Sequence, residues 1–173
     1  MPCDRLSLLS DAACVSRDSG SVHPGKRPVV AVEISPSEPP LTTRSAMANL
    51  IWIAIGGGLG AVGRFLMVSA VQAAVPGFKP LGTMAVNVLG CLLVGMVMAW
   101  IVRINGVGSP LHFCLVTGIL GGFTTFSAFG FETVSLLEEH QLAGAFWNVA
   151  GNIGLGVSAV FLGLQLVAWF GRS

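Results

Sequence analysis

Four long apolar blocks, separated by short polar turns, restrict what this chain can fold into. They cover about residues 49–75, 81–104, 111–137 and 142–170. Each exceeds the roughly 20 residues that an α-helix needs to cross the hydrocarbon core of a bilayer. Beyond residue 46, only seven side chains are charged: Arg64, Lys79, Arg103, Glu132, Glu138, Glu139 and Arg172. Seven charges are too few to cover a water-soluble surface. The sequence therefore predicts an all-α membrane protein with four transmembrane helices.

Residues 1–46 differ in composition from everything that follows. They hold six of the nine prolines and ten of the 17 charged side chains. Their apolar runs are too short for the hydrophobic region of a signal peptide. We predict a disordered polar leader, followed by a transmembrane domain over residues 47–173. Met47 is a candidate for the true start, because "MANLIWIAIGG" enters the first block almost at once.

Composition also excludes several classes of function. A net charge of +1 gives no case for nucleic-acid binding. The four cysteines and three histidines are scattered and show no spacing typical of a metal site. No nucleophile, base and acid occur in a pattern typical of catalysis, so we predict that the chain is not an enzyme.

The loop charges specify membrane orientation only weakly. With the amino terminus inside, Arg44, Arg103 and Arg172 flank that side of the membrane and Lys79 flanks the other. This positive-inside bias is small, and it shrinks further if the leader is absent. Two interpretations remain open, namely a single weakly biased topology and insertion in both orientations.

Pairs of glycines recur at helical spacing in the first and third blocks. Gly56 precedes Gly60 by four residues, and Gly118 precedes Gly122 by the same interval. Small residues at this spacing let transmembrane helices approach closely. The pattern predicts tight helix packing, within one chain or between two. A chain of only four helices is too small to enclose a selective path alone.

The stretch "GGFTTFSAFG", residues 121–130, interrupts the third block. Two adjacent glycines weaken a helix by roughly 1 kcal/mol each relative to alanine, and the hydroxyls of Thr124 and Thr125 compete for backbone hydrogen bonds. We therefore predict a helix break with a half-helix on each side. Freed carbonyls at such a break could hold a cation such as sodium. The alternative is a glycine-rich packing notch in a continuous helix.

Neutral polar and aromatic residues near this stretch suggest an anion path. Phe126 and Phe129 share one face after the predicted break, and the weakly positive edges of their rings could face a small anion. Asn148 and Asn152 share a face of the fourth block. Neutral donors can replace water around an anion without trapping it. The candidates are Asn87, Thr124, Thr125, Ser127, Asn148, Asn152 and Ser158. The alternatives are core or lipid-facing rings and amides that join helices.

Two charged residues lie within the apolar blocks. Arg64 is well inside the first block, where it would either form an electropositive vestibule or extend to the interface. Glu132 lies near the end of the third block. An intramembrane carboxylate is a candidate functional site, as a proton or cation carrier, a partner of the helix break, or a hydrogen-bonding group. The alternative is a hydrated position at the membrane interface.

Three segments resemble the signature motifs of a known family. "GGGLGAVGRF", "GTMAVNVLG" and "GILGGFTTFSAFGFET" occur in order at suitable spacing, with "NVAGN" in the fourth block. They resemble the CrcB/Fluc fluoride channels over residues 47–173. The resemblance implies a fluoride-selective channel in the bacterial inner membrane, built as an antiparallel, dual-topology homodimer with two pores. It also implies that the third helix is broken at mid-membrane.

The resemblance also assigns roles to individual residues. A structural sodium ion on the dimer axis would be held by the backbone carbonyls of Gly121 and Thr124 from both subunits. Phe126, Phe129 and Asn87 match pore residues, and Arg64 and Glu132 match charged positions of the motifs. Ala128 stands where the family often has threonine, which removes one hydroxyl beside the pore. The assignments in the fourth helix, including Gly156 in place of a serine, are the least direct.

Two other functions compete with the channel. A small proton-coupled multidrug-type exporter also has four helices and is often dual in topology, but it needs a carboxylate in its first helix, where this chain has Arg64. A non-transporting assembly subunit would explain the glycines but not the phenylalanine pair. The expected partners of the channel are fluoride, a second copy of the chain and the lipid bilayer.

Overall fold

The computed structural model describes residues 43–171, and almost all of the predicted leader lies outside them. The helical elements are α1 (Thr43–Ala74), α2 (Pro80–Arg103), α3 (Pro110–His112), π1 (Phe113–Leu120), α4 (Gly121–Phe123), α5 (Phe126–Glu138), α6 (Leu142–Ala150), π2 (Gly151–Leu155) and α7 (Gly156–Phe170). Four of the resulting helical stretches are long and apolar enough to span a membrane. The prediction of an all-helical chain with four spans is confirmed. We call Pro110–Glu138 the third span and Leu142–Phe170 the fourth span.

Short turns with clear stop signals join these spans. Proline opens α2 and α3 at their first positions, where its missing N–H costs no hydrogen bond. After α2, Asn105 adopts a left-handed conformation with φ of 51°. The N–H of Gly106 then donates to the carbonyl of Ile101 at 2.9 Å, which closes the helix end in a Schellman motif. Because the turns are short, consecutive spans run antiparallel.

The first span packs on the amino-terminal half of the third span through glycine. A Cβ added to Gly60 would collide with the backbone carbonyl of Ile119 and would lie 2.8 Å from the backbone N of Phe123. A Cβ on Gly118 would lie 3.0 Å from the Cα of Gly56. The two helix backbones therefore touch directly. The predicted role of these glycines in close packing applies within one chain.

The second span lies at the centre of the bundle. It packs most extensively on α7, and it also contacts the first and third spans. A Cβ on Gly95 would collide with the carbonyl of Val160, and one on Gly163 with the carbonyl of Leu92. This close approach brings polar side chains of α2 within reach of both the third and fourth spans.

Two extended residues separate the helical parts of the third span. Gly121, Gly122 and Phe123 remain helical, and Thr124 (φ −80°, ψ 158°) and Thr125 (φ −150°, ψ 112°) are extended. The glycines that suggested an interruption are thus not the residues that depart from helical geometry. The two threonines do so because their β-branched side chains favour extended backbone. Helical geometry resumes at Phe126.

Candidate functional site

At the extended residues, two peptide donors turn away from the helix axis. The N–H of Thr125, which a continuing α-helix would direct to the carbonyl of Gly121, donates instead to Asn87 Oδ1 at 2.8 Å. The N–H of Ala128, which would reach the carbonyl of Thr124, donates to Thr125 Oγ1 at 3.3 Å. Thr125 is therefore the N-cap of α5. The carbonyls of Gly121 and Thr124 thereby lose the donors that an α-helix would give them.

Asn87 holds the extended segment from the neighbouring second span. Its Oδ1 accepts from the Thr125 N–H, and its Nδ2 donates to the Thr125 carbonyl at 3.1 Å. One side-chain amide therefore pairs both polar groups of the same residue's backbone, as a neighbouring β-strand would. Unpaired backbone groups are costly at membrane depth, so this pairing stabilises the extended geometry.

A line of hydrogen bonds extends from Asn87 into the fourth span. Asn87 Nδ2 donates to Asn152 Oδ1 at 2.8 Å, and Asn152 Nδ2 donates to Asn148 Oδ1 at 2.9 Å. Asn148, which is fully buried, donates through Nδ2 to Thr133 Oγ1 at 2.9 Å. The Thr133 hydroxyl donates to the carbonyl of Phe129 at 2.7 Å. All four donors point in the same direction along this series of hydrogen bonds, which we call the amide line. It starts at Asn87 and returns to the third span beyond the extended residues.

An open cavity of about 370 Å³ lies beside the extended residues. We call it the central groove, and its lining includes Asn87, Gly121, Thr124, Thr125, Phe126, Phe129 and Asn152. No charged side chain lines this groove among the residues that the structure describes. The rings of Phe126 and Phe129 are 5.3 Å apart, with their planes at 58°. Phe129 is buried, whereas 81% of Phe126 is exposed in the single chain.

A second cavity is lined by two charged residues, Arg64 and Glu132. This Arg64 cavity, of about 660 Å³, is lined by Arg64, Thr83, Thr125, Ser127, Phe131 and Glu132, among others. Thr125 borders both this cavity and the central groove. The hydroxyls of Thr125 and Ser127 are 3.2 Å apart. Thr125 therefore lies between the two cavities, with the Ser127 hydroxyl beside it in the Arg64 cavity.

Glu132 pairs with a residue that the sequence analysis did not select. Its Oε1 accepts a hydrogen bond of 2.6 Å from Thr83 Oγ1, and Thr83 is almost fully buried. Its Oε2 is buried and has no hydrogen-bond partner within residues 43–171. Thr83 precedes Asn87 by four residues on α2, so the two side chains share a face. The interval of four residues from Asn87 was the sequence signal that could have identified Thr83. The same interval from Phe129 could have identified Thr133.

The structure brings most of the predicted site residues together, but in separate groups. Gly121, Thr124, Phe126 and Phe129 meet at the central groove with Asn87 and Asn152. Arg64, Ser127 and Glu132 meet at the Arg64 cavity. Ser158 lies apart from both, in a third cavity beside Met84 and Trp147. No cluster of three or more metal-binding His, Cys, Asp or Glu side chains is found in the described part of the chain.

The interrupted span presents opposite partial charges side by side. The carboxyl end of α4 exposes carbonyl oxygens, which attract cations. The amino end of α5 carries the positive end of a helix dipole, which attracts anions. Phe126 and Ser127 are the first residues of α5. The arrangement can therefore hold a cation on backbone oxygens while an anion passes neutral donors and ring edges nearby.

Four membrane-length helices with polar groups that meet inside the bundle define a small multi-pass integral membrane protein. The family model described as "CrcB-like protein, Camphor Resistance (CrcB)" matches residues 51–164. The chain belongs to this family, so the resemblance found in the three motifs is confirmed as family membership.

Curated relatives align with this chain over nearly their whole length. The "Fluoride-specific ion channel FluC" of Flavobacterium psychrophilum is 39% identical over 118 residues, which are 68% of this chain and 95% of the relative. Proteins of the same name from Allorhizobium ampelinum and Novosphingobium aromaticivorans are 41% and 42% identical, over 71% and 70% of this chain and 98% and 97% of their own lengths. With four apolar spans and these bacterial relatives, the chain is a multi-pass protein of the bacterial inner membrane.

Proposed function

We propose that this protein is a fluoride-selective anion channel that lets cytoplasmic fluoride leave the cell passively. Membership in a family whose curated members are named fluoride-specific ion channels supports this function. The structural observation that carries it is the central groove, where two phenylalanine rings adjoin neutral donors and no charged side chain of the described residues. A channel site must bind an ion without trapping it. The protein is thus a transporter and not an enzyme.

The path that we propose leads from the Arg64 cavity to the central groove. Arg64 raises the local concentration of anions at the entrance. The hydroxyl of Ser127 in the Arg64 cavity and that of Thr125 between the two cavities then supply donors. Phe126 and Phe129 present ring edges beyond them, and Asn87 and Asn152 form a polar wall of the groove. Fluoride is strongly hydrated, so several close donors are needed to replace its water.

The pore is completed by a second copy in antiparallel orientation. In the single chain, the central groove is open and Phe126 is largely exposed at its edge. The weak charge bias of the loops is compatible with insertion in both orientations. We therefore propose a dual-topology homodimer in which the third span is broken at mid-membrane. The extended dihedral angles of Thr124 and Thr125 support this break.

A structural sodium ion fits the backbone at this break. Unwound carbonyls are the ligands that broken membrane helices offer to sodium. The carbonyls of Gly121 and Thr124 are the two whose helical donors are diverted to Asn87 and Thr125. Two carbonyls from each subunit would hold the ion at the dimer axis, where it would neutralise their partial charges and join the subunits.

Fluoride efflux from proteoliposomes tests the function directly. We expect fast release of fluoride, driven by a potassium-diffusion potential and followed with a fluoride electrode. Chloride should not be released under the same conditions, because it is the larger anion and closely spaced donors suit the smaller one. A folded, dimeric preparation that releases no fluoride would contradict the proposal. Proton-driven uptake of an organic cation by that preparation would favour the exporter.

Sodium removal tests the structural ion separately. Because the ion would bind main-chain oxygens, we expect removal of sodium to slow fluoride efflux more than Thr124→Ser does. Thr124→Ser keeps the carbonyl and the hydroxyl that donates to Leu120. Potassium-purified protein, measured before and after sodium is restored, provides the comparison. Equal efflux in both states would exclude the ion.

A further inference from the structure

We propose that Asn152 is a positioning residue, which holds the Asn87 amide in the orientation that clamps the Thr125 peptide and keeps the Gly121 and Thr124 carbonyls available. This inference rests on the proposed function, because it concerns how the pore and its cation site keep their geometry. In this role, the fourth span positions a residue of the second span and does not itself contact the anion.

The orientation of the Asn87 amide is fixed by its two neighbours. Its Oδ1 must face the Thr125 N–H, because that donor needs an acceptor. Its Nδ2 then points to the Thr125 carbonyl and to Asn152 Oδ1, at 3.1 and 2.8 Å. Reversal of the amide would place a donor against the Thr125 N–H and an oxygen against Asn152 Oδ1. Both ends therefore select one orientation.

Asn152 can hold this orientation because it is itself fixed. Its Nδ2 donates to both the carbonyl and the Oδ1 of Asn148, each at 2.9 Å. Asn148 is fully buried, and its own Nδ2 donates to Thr133. The amide line thus connects the clamp to α5 at a second point, one turn beyond the phenylalanine pair. An apolar residue at position 152 would leave the second amide hydrogen of Asn87 without an acceptor.

The pairing of Asn87 with the Thr125 backbone, the clamp, determines whether the Gly121 and Thr124 carbonyls stay free of helical hydrogen bonds. If Asn87 releases Thr125, the Thr125 N–H must find another acceptor at membrane depth. The Gly121 carbonyl is the acceptor that an α-helix would supply. Loss of the clamp thus favours helical closure over Thr124 and Thr125, which would remove a proposed sodium ligand. We expect Asn152→Leu to raise the sodium concentration for half-maximal efflux about tenfold.

The test combines sodium dependence with amide hydrogen exchange of the full-length protein in liposomes. In Asn152→Leu, exchange of the peptide that contains Thr125 should be about tenfold faster or slower than in wild type, because its N–H changes partner. Asn152→Asp retains an acceptor for Asn87 but loses the two hydrogen bonds to Asn148, so its exchange rate should lie between those of wild type and Asn152→Leu. Gln165→Leu is the matched control, since it removes an exposed amide from the same span.

Each outcome decides between explanations. Unchanged exchange and an unchanged sodium midpoint in Asn152→Leu would overturn the inference. If that variant does not assemble, Asn152→Ala, which also lacks the acceptor, is judged by the same criteria. If wild type conducts no fluoride but the exchange differences appear, the proposed function fails and the clamp remains. If wild type conducts and the exchange does not differ, only the clamp fails.

Discussion

Phe126→Ile lowers fluoride efflux by about twofold to tenfold, with the dimer intact, if ring edges stabilise the anion. Aromatic pairs gain roughly 0.5–1.5 kcal/mol from their ring quadrupoles, and we take the same range for a ring edge beside an anion; about 1.4 kcal/mol corresponds to a tenfold change in rate. Isoleucine keeps an apolar side chain but has no quadrupole. Phe126 is largely exposed in the single chain, so the substitution leaves no cavity in the core of the subunit.

The control for this experiment is a phenylalanine that lines neither cavity. Phe161→Ile changes the same chemistry on α7, where the ring is 63% exposed and lies outside both cavities. Fluoride-electrode traces of the two variants at equal protein density give the ratio of rates, and size-exclusion chromatography checks the dimer. Equal rates in Phe126→Ile, Phe161→Ile and wild type would remove the ring-edge explanation.

Gly60→Ala destabilises the fold by about 2–3 kcal/mol, as overpacking of a close contact does. The added Cβ meets the backbone of Ile119 and Phe123, which cannot rotate away as a side chain can. The first span must then move away from the third. Because the third span contains the extended residues and the phenylalanine pair, fluoride efflux should fall together with stability.

Gly58→Ala is the matched variant on the same helix. A Cβ at Gly58 meets nothing within 4 Å, so we expect a stability equal to wild type or higher by up to about 1 kcal/mol from helix propensity. Thermal unfolding in detergent should give Gly60→Ala a midpoint roughly 5–10 °C lower. If the two alanine variants unfold at the same temperature, the close contact between the spans does not limit stability.

The sequence predicted the spans well because long apolar blocks and proline turns depend on local composition. The second span, expected at about residues 81–104, is observed at Pro80–Arg103. The π-helical turns at Phe113–Leu120 and Gly151–Leu155 were not predicted. A one-residue widening of a helix arises from packing between spans and leaves no clear periodic signal.

The structure brings most of the predicted site residues close together, but their hydrogen-bond partners were not predicted. The spacing of Asn148 and Asn152 placed both on one face, but nothing local indicated that Asn87 would join them. That contact depends on how close α2 approaches α7, and the approach depends on Gly95 and Gly163 across two spans. For the same reason Thr83 was overlooked as the partner of Glu132. Polar partners from different spans are set by tertiary packing.

The open central groove has a consequence for the cell. If, as we propose, the groove closes only against an inverted copy, the chain would acquire function only through an encounter of two copies in the plane of the bilayer. At low density, the number of conducting units would then rise with the square of the number of chains, by mass action. A modest increase in synthesis would produce a disproportionate gain in fluoride resistance. A few chains without partners would leave the membrane impermeable to fluoride.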